Sequence, residues 1–310
     1  MAPLPDAFGT DDLDAAAPPP LLARCRFPDA GSALTCAVSG GADSLALLFL
    51  ATRAGCRVTA VHVDHGLRPG SRDEADVVAD AAERFGAAFR AERAQIAPGA
   101  NLEARARDAR RALLPAGAAT GHTADDQAET ILLNLLRGAG LGGLGGMRPG
   151  PTKPILALRR KETRDLCAAL GLEPVTDPSN ADPAFRRNRV RHELLPLLDD
   201  IAGRDVVPVL ARQASLLRDE ADLLDEVAAG IDAADSRALA TALPALARRA
   251  VRRLLAAHRP QPHPPDAAAV ERVLQVARQE ALACETGAGV RVRRSAGRLH
   301  VEAAAGGRDG

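Results

Sequence analysis

The chain has 310 residues, which predicts two domains at roughly 150 residues each. Hydrophobic residues make up 46% and charged residues 26%, as is typical of globular proteins, and no apolar run approaches the roughly 18 residues of a membrane span. Forty basic residues balance forty acidic ones, so net charge gives no sign of nucleic-acid binding. The five cysteines include no CxxC pair, which favours reduced cytoplasmic thiols over a disulfide framework.

The predicted secondary structure alternates between strands and helices through the first two thirds of the chain. Apolar and β-branched runs predict strands over 33–38, 57–64, 87–93, 118–121 and 155–158. Helical spacing of apolar residues predicts helices over 45–54, 72–86, 101–114, 124–137 and 160–170. This alternation predicts an α/β fold, in which a parallel sheet carries helices on both faces.

The pattern changes near residue 203, so we expect two domains. Residues 1–20 end in Ala-Pro-Pro-Pro and are predicted to be a flexible leader, and residues 21–203 form the α/β domain. Residues 204–310 show mostly helical periodicity and close with two short strands around a Ser-Ala-Gly turn within 289–302. The second domain is therefore predicted to be smaller, mostly helical and terminated by a β-hairpin.

The segment SGGADS, residues 39–44, follows the first predicted strand and opens a helix. Gly40 and Gly41 allow a tight turn whose backbone N–H groups can approach phosphate oxygens, and the helix N-terminus adds a partial positive charge. The Gly-Lys-Ser/Thr ending of a Walker A loop is absent. A plain strand-to-helix turn capped by Asp43 or Ser44 is the alternative, but the hydroxyls and the acid around the glycines favour a pyrophosphate site.

The segment HVDHGLR, residues 62–68, lies at the carboxyl end of the second predicted strand. His62, Asp64 and His65 have the composition of a metal-binding cluster. Open α/β sheets also bind nucleotides at the carboxyl ends of neighbouring strands. Both a metal site and the edge of a nucleotide site are therefore consistent with this segment.

The segment TGHTADDQAET, residues 120–130, places four polar side chains where a strand ends and a helix begins. They are His122, Asp125, Asp126 and Glu129. Spacings of three and four residues bring the carboxylates to one side of the helix, and such oxygen ligands suit Mg²⁺ held together with substrate phosphates. Thr123 and Asp126 also fit a capping box, which accounts for one acid but not for the group. Because all three motifs follow strands, we expect them at one edge of the sheet.

Two further kinds of segment are dense in glycine or arginine. Residues 136–147 contain six glycines, which predicts a mobile lid or a linker without regular helix. Arginines cluster in 101–111 and 177–196, and their planar guanidinium groups suit phosphate. A solvated helix face is the alternative for the first cluster and a charged interdomain helix for the second.

The chain resembles the tRNA(Ile)-lysidine synthetase family through six segments in the family's order: SGGADS, HVDHGLR, NLEARARDAR, TGHTADDQAET, LRGAGLGGLGGM and DPSNADPAFRRNRVR. This family lies in the PP-loop ATP pyrophosphatase superfamily, whose fold is similar to that of the adenine nucleotide alpha hydrolases. The resemblance covers about residues 35–200 and is much weaker beyond 205, where the chain is similar in size to the short form of the family. The family often has Tyr at the position of Arg111, and this chain contains no Tyr.

The resemblance implies a ligase that works in two steps. ATP adenylates the C2 oxygen of the wobble cytidine (C34) in the CAU anticodon of a minor isoleucine tRNA, and free L-lysine then displaces AMP. The implied cofactors are ATP and Mg²⁺, the implied partners are this tRNA and lysine, and the implied location is the cytoplasm without membrane association. The oligomeric state, including a homodimer, stays open.

The resemblance also implies roles for individual residues. The implied cofactor-binding residues are Ser39, Gly40, Gly41, Ala42, Asp43, Ser44, His62, Asp64 and His122, and the implied metal ligands are Asp43 and Asp126. The implied catalytic residues are Asp43, Asp126, Glu129, Arg107 and Arg189. Asp126 and Glu129 would complete a magnesium or lysine-ammonium site, and the two arginines would contact the adenylate or tRNA phosphates. Candidate tRNA contacts in the second domain are Arg248, Arg249, Arg252, Arg253, Arg291, Arg293, Arg294 and Arg298.

Three other functions are compatible with parts of the sequence. Another PP-loop enzyme, such as a tRNA thiolase or an amide ligase, would share the SGGADS turn, although thiolases of this type generally need paired cysteines. A metal-dependent phosphohydrolase would use the histidines and aspartates of 62–65 and 122–125. A non-catalytic nucleotide-binding module would scaffold RNA without modifying it.

Overall fold

The computed structural model describes residues 19–64, 71–94, 105, 109, 112–175, 182–258, 265–287 and 289–303. The chain divides into two compact units, residues 1–215 and 216–310. The leader predicted for residues 1–20 lies outside the described residues except for Pro19 and Pro20, which open the first helix. Within the described ranges, no helix is both long and apolar enough to cross a membrane.

The first unit is built on a four-stranded parallel sheet. Strands β1 (Ala33–Ala37), β2 (Arg57–Asp64), β3 (Ala88–Arg93) and β4 (Ala119–Thr120) pair in the order β3-β2-β1-β4. The helices are α1 (Pro19–Leu22), α2 (Ala42–Arg53), α3 (Ser71–Arg84), α4 (Ala124–Leu136), α5 (Leu141–Leu144), α6 (Arg160–Ala169), α7 (Arg186–Arg189), a π-helix over Val190–Leu194, and α8 (Leu195–Ala202). The predicted fold class, a parallel sheet with helices on both faces, is confirmed.

The strand order places the carboxyl ends of β1, β2 and β4 side by side. Ala37 at the end of β1 pairs with Thr120 at the end of β4 and with Val61 of β2. Because the strands are parallel, the segments that follow them leave the sheet at the same edge. This edge therefore gathers the SGGADS turn and the start of α4.

Helix α2 forms the core of the first unit. Residues 44–51 of this helix are all buried, and it contacts β1, β2 and α6. A helix that is apolar all round is stable only when it is covered on every side. The helix that carries the SGGADS turn is therefore fixed by its own packing, and it begins at Ala42, earlier than the predicted residue 45.

The fifth strand predicted over 155–158 is wrong, because this segment forms consecutive turns. The N–H groups of Leu156 and Leu158 donate to carbonyl oxygens three residues earlier in the chain. Ile155 and Leu158 are fully buried. Burial in the core, and not pairing with a strand, accounts for the apolar run.

The absence of regular helix predicted for residues 136–147 is also wrong, because the segment contains the helical turn α5. Two side chains of α4 hold it. Asn134 donates to the carbonyl of Gly143 at 2.8 Å, and the Gln127 amide bonds to the carbonyl and the N–H of Met147 at 3.0 and 2.7 Å. These bonds supply the anchoring that glycines, which have no side chains, do not provide.

The second unit is mostly helical and ends in a small antiparallel sheet. Helix α9 (Val207–Ala229) crosses the division at residue 215, and it is followed by α10 (Ser236–Thr241), α11 (Pro244–Ala257) and α12 (Ala267–Ala277). Strands β5 (Ala283–Glu285), β6 (Val290–Ser295) and β7 (Arg298–Ala303) pair in that order. The predicted hairpin is confirmed, with positive φ at Ala296 and Gly297 in its turn, while β5 was not predicted.

The division at residue 215 lies later than the boundary predicted at residue 203. Val207, at the start of α9, is buried in one cluster with Ala124, Ala128 and Leu132 of α4. The first turns of α9 therefore pack with the first unit. Helical periodicity predicts the helix but does not reveal which core it joins.

Candidate active site

Two serines close the SGGADS turn between β1 and α2. Ser44 Oγ accepts a hydrogen bond from the backbone N–H of Ser39 at 3.1 Å and donates to the carbonyl of Gly41 at 2.8 Å. Gly41 is the N-cap of α2, which has 12 residues. The turn thus lies at a helix N-terminus, where the partial positive charge attracts anions.

Glycine is required at two positions around this turn, at Gly40 by its backbone conformation and at Gly121 by a close backbone contact. Gly40 has a φ of +78°, a conformation that costs other residues free energy, and its carbonyl accepts the N–H of Val175 at 3.0 Å. A Cβ on Gly121 would lie 2.7 Å from the carbonyl oxygen of Asp43. The loop after β4 therefore packs directly against the SGGADS turn.

Charged side chains from the SGGADS turn, α4, α6 and residues 187–191 meet at this edge. We call this group the acid–arginine cluster, and its members are Asp43, Asp126, Glu129, Arg160, Arg187 and Arg191. Three carboxylates face three guanidinium groups, so their formal charges cancel.

Glu129 is the centre of the acid–arginine cluster and is fully buried. Its Oε1 accepts from Arg160 at 3.1 Å and from Arg191 at 2.7 Å. Its Oε2 accepts from Arg187 at 2.6 Å. A carboxylate withdrawn from water needs such partners, and in return Glu129 fixes the positions of three arginines.

Asp126 caps a helix and binds arginine at the same time. Its Oδ2 accepts from the N–H and the hydroxyl of Thr123 at 2.8 and 2.9 Å, which confirms the predicted capping box. Its Oδ1 accepts from Arg160 and Arg187, each at 3.0 Å. Burial acts to raise the pKa of Asp126, but the charges of Arg160 and Arg187 and the Thr123 N–H together hold that pKa below its usual value.

Asp43 reaches the cluster from the first turn of α2. Its Oδ1 accepts from the hydroxyl of Thr163 on α6, and its Oδ2 lies 3.5 Å from Nε of Arg160. Burial raises the pKa of Asp43 above its usual value, although the Thr163 hydroxyl and the Arg160 charge act in the opposite direction. At 25% exposure, Asp43 is the carboxylate of the cluster most accessible to a ligand.

Known proteins are similar to this chain over most of its length. Residues 21–198 match the family model of the PP-loop domain. The chain is 45% identical over 243 residues to the tRNA(Ile)-lysidine synthase of Nocardia farcinica, an alignment covering 73% of this chain and 76% of that protein. It is 41% identical over 270 residues to the tRNA(Ile)-lysidine synthase of Thermobifida fusca, covering 76% and 83%. The chain belongs to the tRNA(Ile)-lysidine synthase family.

A solved structure supports the fold. The chain is similar to the U34-tRNA thiolase NcsA from Methanococcus maripaludis with a TM-score of 0.52 and 18% identity, covering 67% of this chain and 78% of the thiolase. At this identity the likeness concerns the architecture only. The PP-loop match identifies the first unit as an ATP-using domain.

The two predicted cofactor-binding histidines each bond to a neighbour at the sheet edge. His62 is buried in β2, and its Nδ1 lies 3.0 Å from the carbonyl of Val38. His122 Nδ1 lies 2.7 Å from the hydroxyl of Thr120. Asp64 is the last residue of β2 and is half-buried. Contact of these residues with a cofactor stays a prediction.

Asp125 has a structural role at the start of α6. Its carboxylate accepts from the backbone N–H of Arg160 at 2.8 Å and from the Arg159 side chain at 3.1 Å. Burial acts to raise the pKa of Asp125, and the bonds to Arg159 and Arg160 lower it below its usual value. Asp125 therefore joins α4 to α6 beside the acid–arginine cluster.

The arginines that reach the cluster differ from those that the sequence singled out. Arg189 is 62% exposed and pairs with Glu193 one turn later, and Arg107 lies outside the described residues. Arg187 and Arg191 enter the cluster instead. Residues four apart share a helix face, whereas a residue two positions away points to another side, so the spacing groups Arg187 with Arg191 but does not show which face turns inward.

Sequence reasoning missed Arg160 and Thr163, which lie in the first turns of α6. Both follow an apolar run and begin a helix, as the other motifs do. Helical spacing predicts a helix over 160–170 but indicates no function for its first residues. Their partners Asp43, Asp126 and Glu129 are 31 to 120 residues away in the chain, and such pairing depends on the fold.

The carboxylates of Asp43 and Asp126 fit Mg²⁺. Both supply carboxylate oxygens, and both face the same positive charge, because the Arg160 guanidinium contacts them at 3.5 and 3.0 Å. Among the described residues, no three His, Cys, Asp or Glu side chains form a group that could hold a metal by themselves. Mg²⁺ is commonly held by one or two carboxylates together with substrate phosphates.

Proposed function

We propose that this chain joins L-lysine to C2 of the wobble cytidine (C34) in the CAU anticodon of a minor isoleucine tRNA. ATP would adenylate the C2 oxygen with release of diphosphate, and lysine would then displace AMP. Membership of the tRNA(Ile)-lysidine synthase family supports this reaction. The observation that carries it is the meeting of Asp43 from the SGGADS turn with Asp126 from α4 at one guanidinium group.

The SGGADS turn would bind the phosphates of ATP. Ser39 and Ser44 offer hydroxyls, and the backbone of Gly40, Gly41 and Ala42 leads into the N-terminus of α2. Preorganised dipoles of this kind stabilise the charge that develops on diphosphate as it leaves. The ends of β2 and β4, with His62, Asp64 and His122, would border the nucleotide.

Asp43 and Asp126 would hold Mg²⁺ together with those phosphates. Bound there, Mg²⁺ would neutralise charge on the departing diphosphate. Asp126 is held ionised by its arginine neighbours, so it is ready to act as a ligand at neutral pH.

Glu129 and its arginines would position the adenylate. The sequence predicts a magnesium or lysine-ammonium contact for Glu129, but its carboxylate is fully buried and accepts from three arginines. We therefore assign it the role of holding Arg187 and Arg191. These two side chains are 30% and 22% exposed, which leaves part of each guanidinium to meet a phosphate.

The second unit would contact the tRNA backbone. Arg248 and Arg252 are exposed and lie four residues apart on α11. Arg249 and Arg253 donate to backbone carbonyl oxygens within the unit, so they also have a structural role. Phosphate contacts from exposed arginines would orient the tRNA without reading its sequence.

The test is transfer of labelled lysine onto unmodified isoleucine tRNA with a CAU anticodon, in the presence of ATP and Mg²⁺. Elongator methionine tRNA, which shares the anticodon, is the control. Incorporation into the isoleucine tRNA only, with AMP and diphosphate as products, is the expected result. ATP-independent release of phosphate from phosphoesters without incorporation would contradict it.

We place the reaction in the cytoplasm, and light scattering would test for a homodimer.

A second experiment tests the assigned carboxylates. Asp43→Asn and Asp126→Asn should each lower kcat by about a hundredfold or more, as expected for lost stabilisation of transition-state charge. Asp165→Asn is the matched control, because Asp165 is 61% exposed and pairs only locally with Lys161. Equal activity in all three variants would refute the assignment.

A further inference from the structure

Arg160 joins the two acidic motifs of the candidate site. Its guanidinium lies 3.5 Å from Asp43, 3.0 Å from Asp126 and 3.1 Å from Glu129. The Arg160 side chain is only 14% exposed. One cation therefore bridges the SGGADS turn and α4.

The rest of α6 is built to hold Arg160 in this place. Thr163 and Cys167 lie three and seven residues after Arg160, on the same helix face. The Thr163 hydroxyl donates to Asp43, and Cys167 Sγ lies 3.4 Å from the carbonyl oxygen of Ala42. Helix α6 thus packs on the first turn of α2 through three side chains that lie about one helical turn apart.

The contact with Asp43 is the longest that Arg160 makes within the cluster. Its 3.5 Å separation exceeds the direct contacts of Arg160 with Asp126 and Glu129. Asp43 also retains its Thr163 hydrogen bond and has the most exposed carboxylate of the three. Removing Asp43 from Arg160 would therefore leave both groups with other partners.

A divalent cation at Asp43 and Asp126 would compete with Arg160 for the same carboxylate oxygens. Two cations within a few ångströms repel each other strongly when they are partly buried. We propose that Arg160 is a positioning residue: it holds Asp43 beside Asp126 before nucleotide binds, and it releases Asp43 to the divalent cation that arrives with ATP. This inference rests on the proposed magnesium site.

Mn²⁺ binding, followed by the electron paramagnetic resonance signal of free Mn²⁺, tests the proposal without tRNA or lysine. The wild-type protein should bind Mn²⁺ weakly alone, and with ATP it should lower the free Mn²⁺ signal further than the same concentration of ATP does without protein. Arg160→Gln removes the competing charge, so it should bind Mn²⁺ without ATP about tenfold more tightly than wild type. Arg160→Lys keeps the charge and should not show this gain.

Arg164→Gln is the matched control, because Arg164 lies on the same helix and is exposed; its Mn²⁺ affinity should equal that of wild type. The double variant Asp43→Asn/Arg160→Gln should lose the gain, which assigns the extra affinity to Asp43. Unchanged Mn²⁺ affinity in a folded Arg160→Gln protein, or an equal gain in Arg160→Lys, would overturn the proposal.

A measurement on the wild-type protein covers the case in which Arg160→Gln does not fold. The NMR signal of the Arg160 Nε–H should shift on addition of Mg²⁺ with ATP and stay in place with ATP alone. A signal that moves equally in both would overturn the proposal. Failure of lysine transfer with the expected Mn²⁺ pattern would refute only the proposed reaction, whereas no Mn²⁺ binding with ATP would refute the magnesium site and this inference together.

Discussion

The acid–arginine cluster of the first unit and two ion pairs of the second unit use arginine in different ways. In the first unit, Arg160 is 14% exposed and contacts a fully buried glutamate, Glu129, which also binds two further arginines. In the second unit, Arg293 pairs with Glu302 and Arg298 with Asp232, and all four side chains are about half exposed. The first arrangement is a shared network, and the second consists of separate surface pairs.

This difference shows which ion pairs determine the local structure and which do not. Burying ions is costly, and the cost is recovered only when every group keeps its partners in good geometry. A buried network therefore has one favourable arrangement, which suits a site that must orient phosphates. Exposed pairs contribute little because water and salt compete with them, and this leaves their arginines available to another ligand.

Among the changes that test this contrast, loss of the Glu129 charge is expected to have the largest effect on stability. Glu129→Gln leaves three guanidinium groups with one carboxylate fewer, and removing one partner from a buried ion network costs about 3–5 kcal/mol. The measurement is the free energy of unfolding from urea denaturation. Glu193→Gln is the control, because Glu193 is 52% exposed in a surface pair with Arg189, and it should leave stability nearly unchanged. Equal losses of unfolding free energy in the two variants would contradict the distinction between the buried network and the surface pairs.

A methyl group at Gly121 tests how tightly the first unit is packed around the SGGADS turn. Its Cβ would lie 2.7 Å from a backbone oxygen of Asp43, so Gly121→Ala should cost about 1–3 kcal/mol and weaken ATP binding. Gly142→Ala is the control in α5, where nothing lies within 4 Å of the added atom. That variant should be neutral or slightly stabilising. Thermal unfolding and ATP titration would show whether the two differ.

Much of this fold follows from the sequence, because periodicity and turn residues are local signals. The bounds of β2, Arg57–Asp64, and the turn at Ala296 and Gly297 agree with the prediction. The strand predicted over 155–158 was wrong, because a buried turn and a buried strand can have the same apolar composition. The position of the SGGADS turn and of the acids of α4 at one edge follows from parallel strands alone.

The partners within the site could not be predicted to the same extent. Asp126 was recognisable from its motif, yet its contacts with Arg160 and Arg187 join residues 34 and 61 positions apart. Choosing Arg187 over Arg189 required knowing which helix face turns inward. Helical spacing groups arginines into faces, but only the fold shows which face meets the acids.

Acid should weaken the first unit through its carboxylates. Bonds to arginine lower the pKa of Asp125 and Asp126 in the folded protein. A lowered folded-state pKa adds stability that is present above the unfolded value of about 3.9 and is lost as the pH falls through the folded value. Urea unfolding at a series of pH values from 7 to 3 should show this loss below about pH 4. Asp126→Asn should flatten the curve, and an unchanged slope would refute the role of Asp126.

The smallest effect on stability is expected at the surface pair Arg293–Glu302. Arg293→Met removes a 2.6 Å contact between side chains that are 45% and 44% exposed, so the free energy of unfolding should change by less than about 1 kcal/mol. If Arg293 contacts a tRNA phosphate, the same change should weaken tRNA binding. It should also reduce the slope of the logarithm of the binding constant against the logarithm of salt concentration by about one. Glu302→Gln should leave stability nearly unchanged and should not weaken tRNA binding, because it frees the guanidinium. A loss of stability in Arg293→Met comparable to that of Glu129→Gln would show that the second unit also depends on its charged pairs.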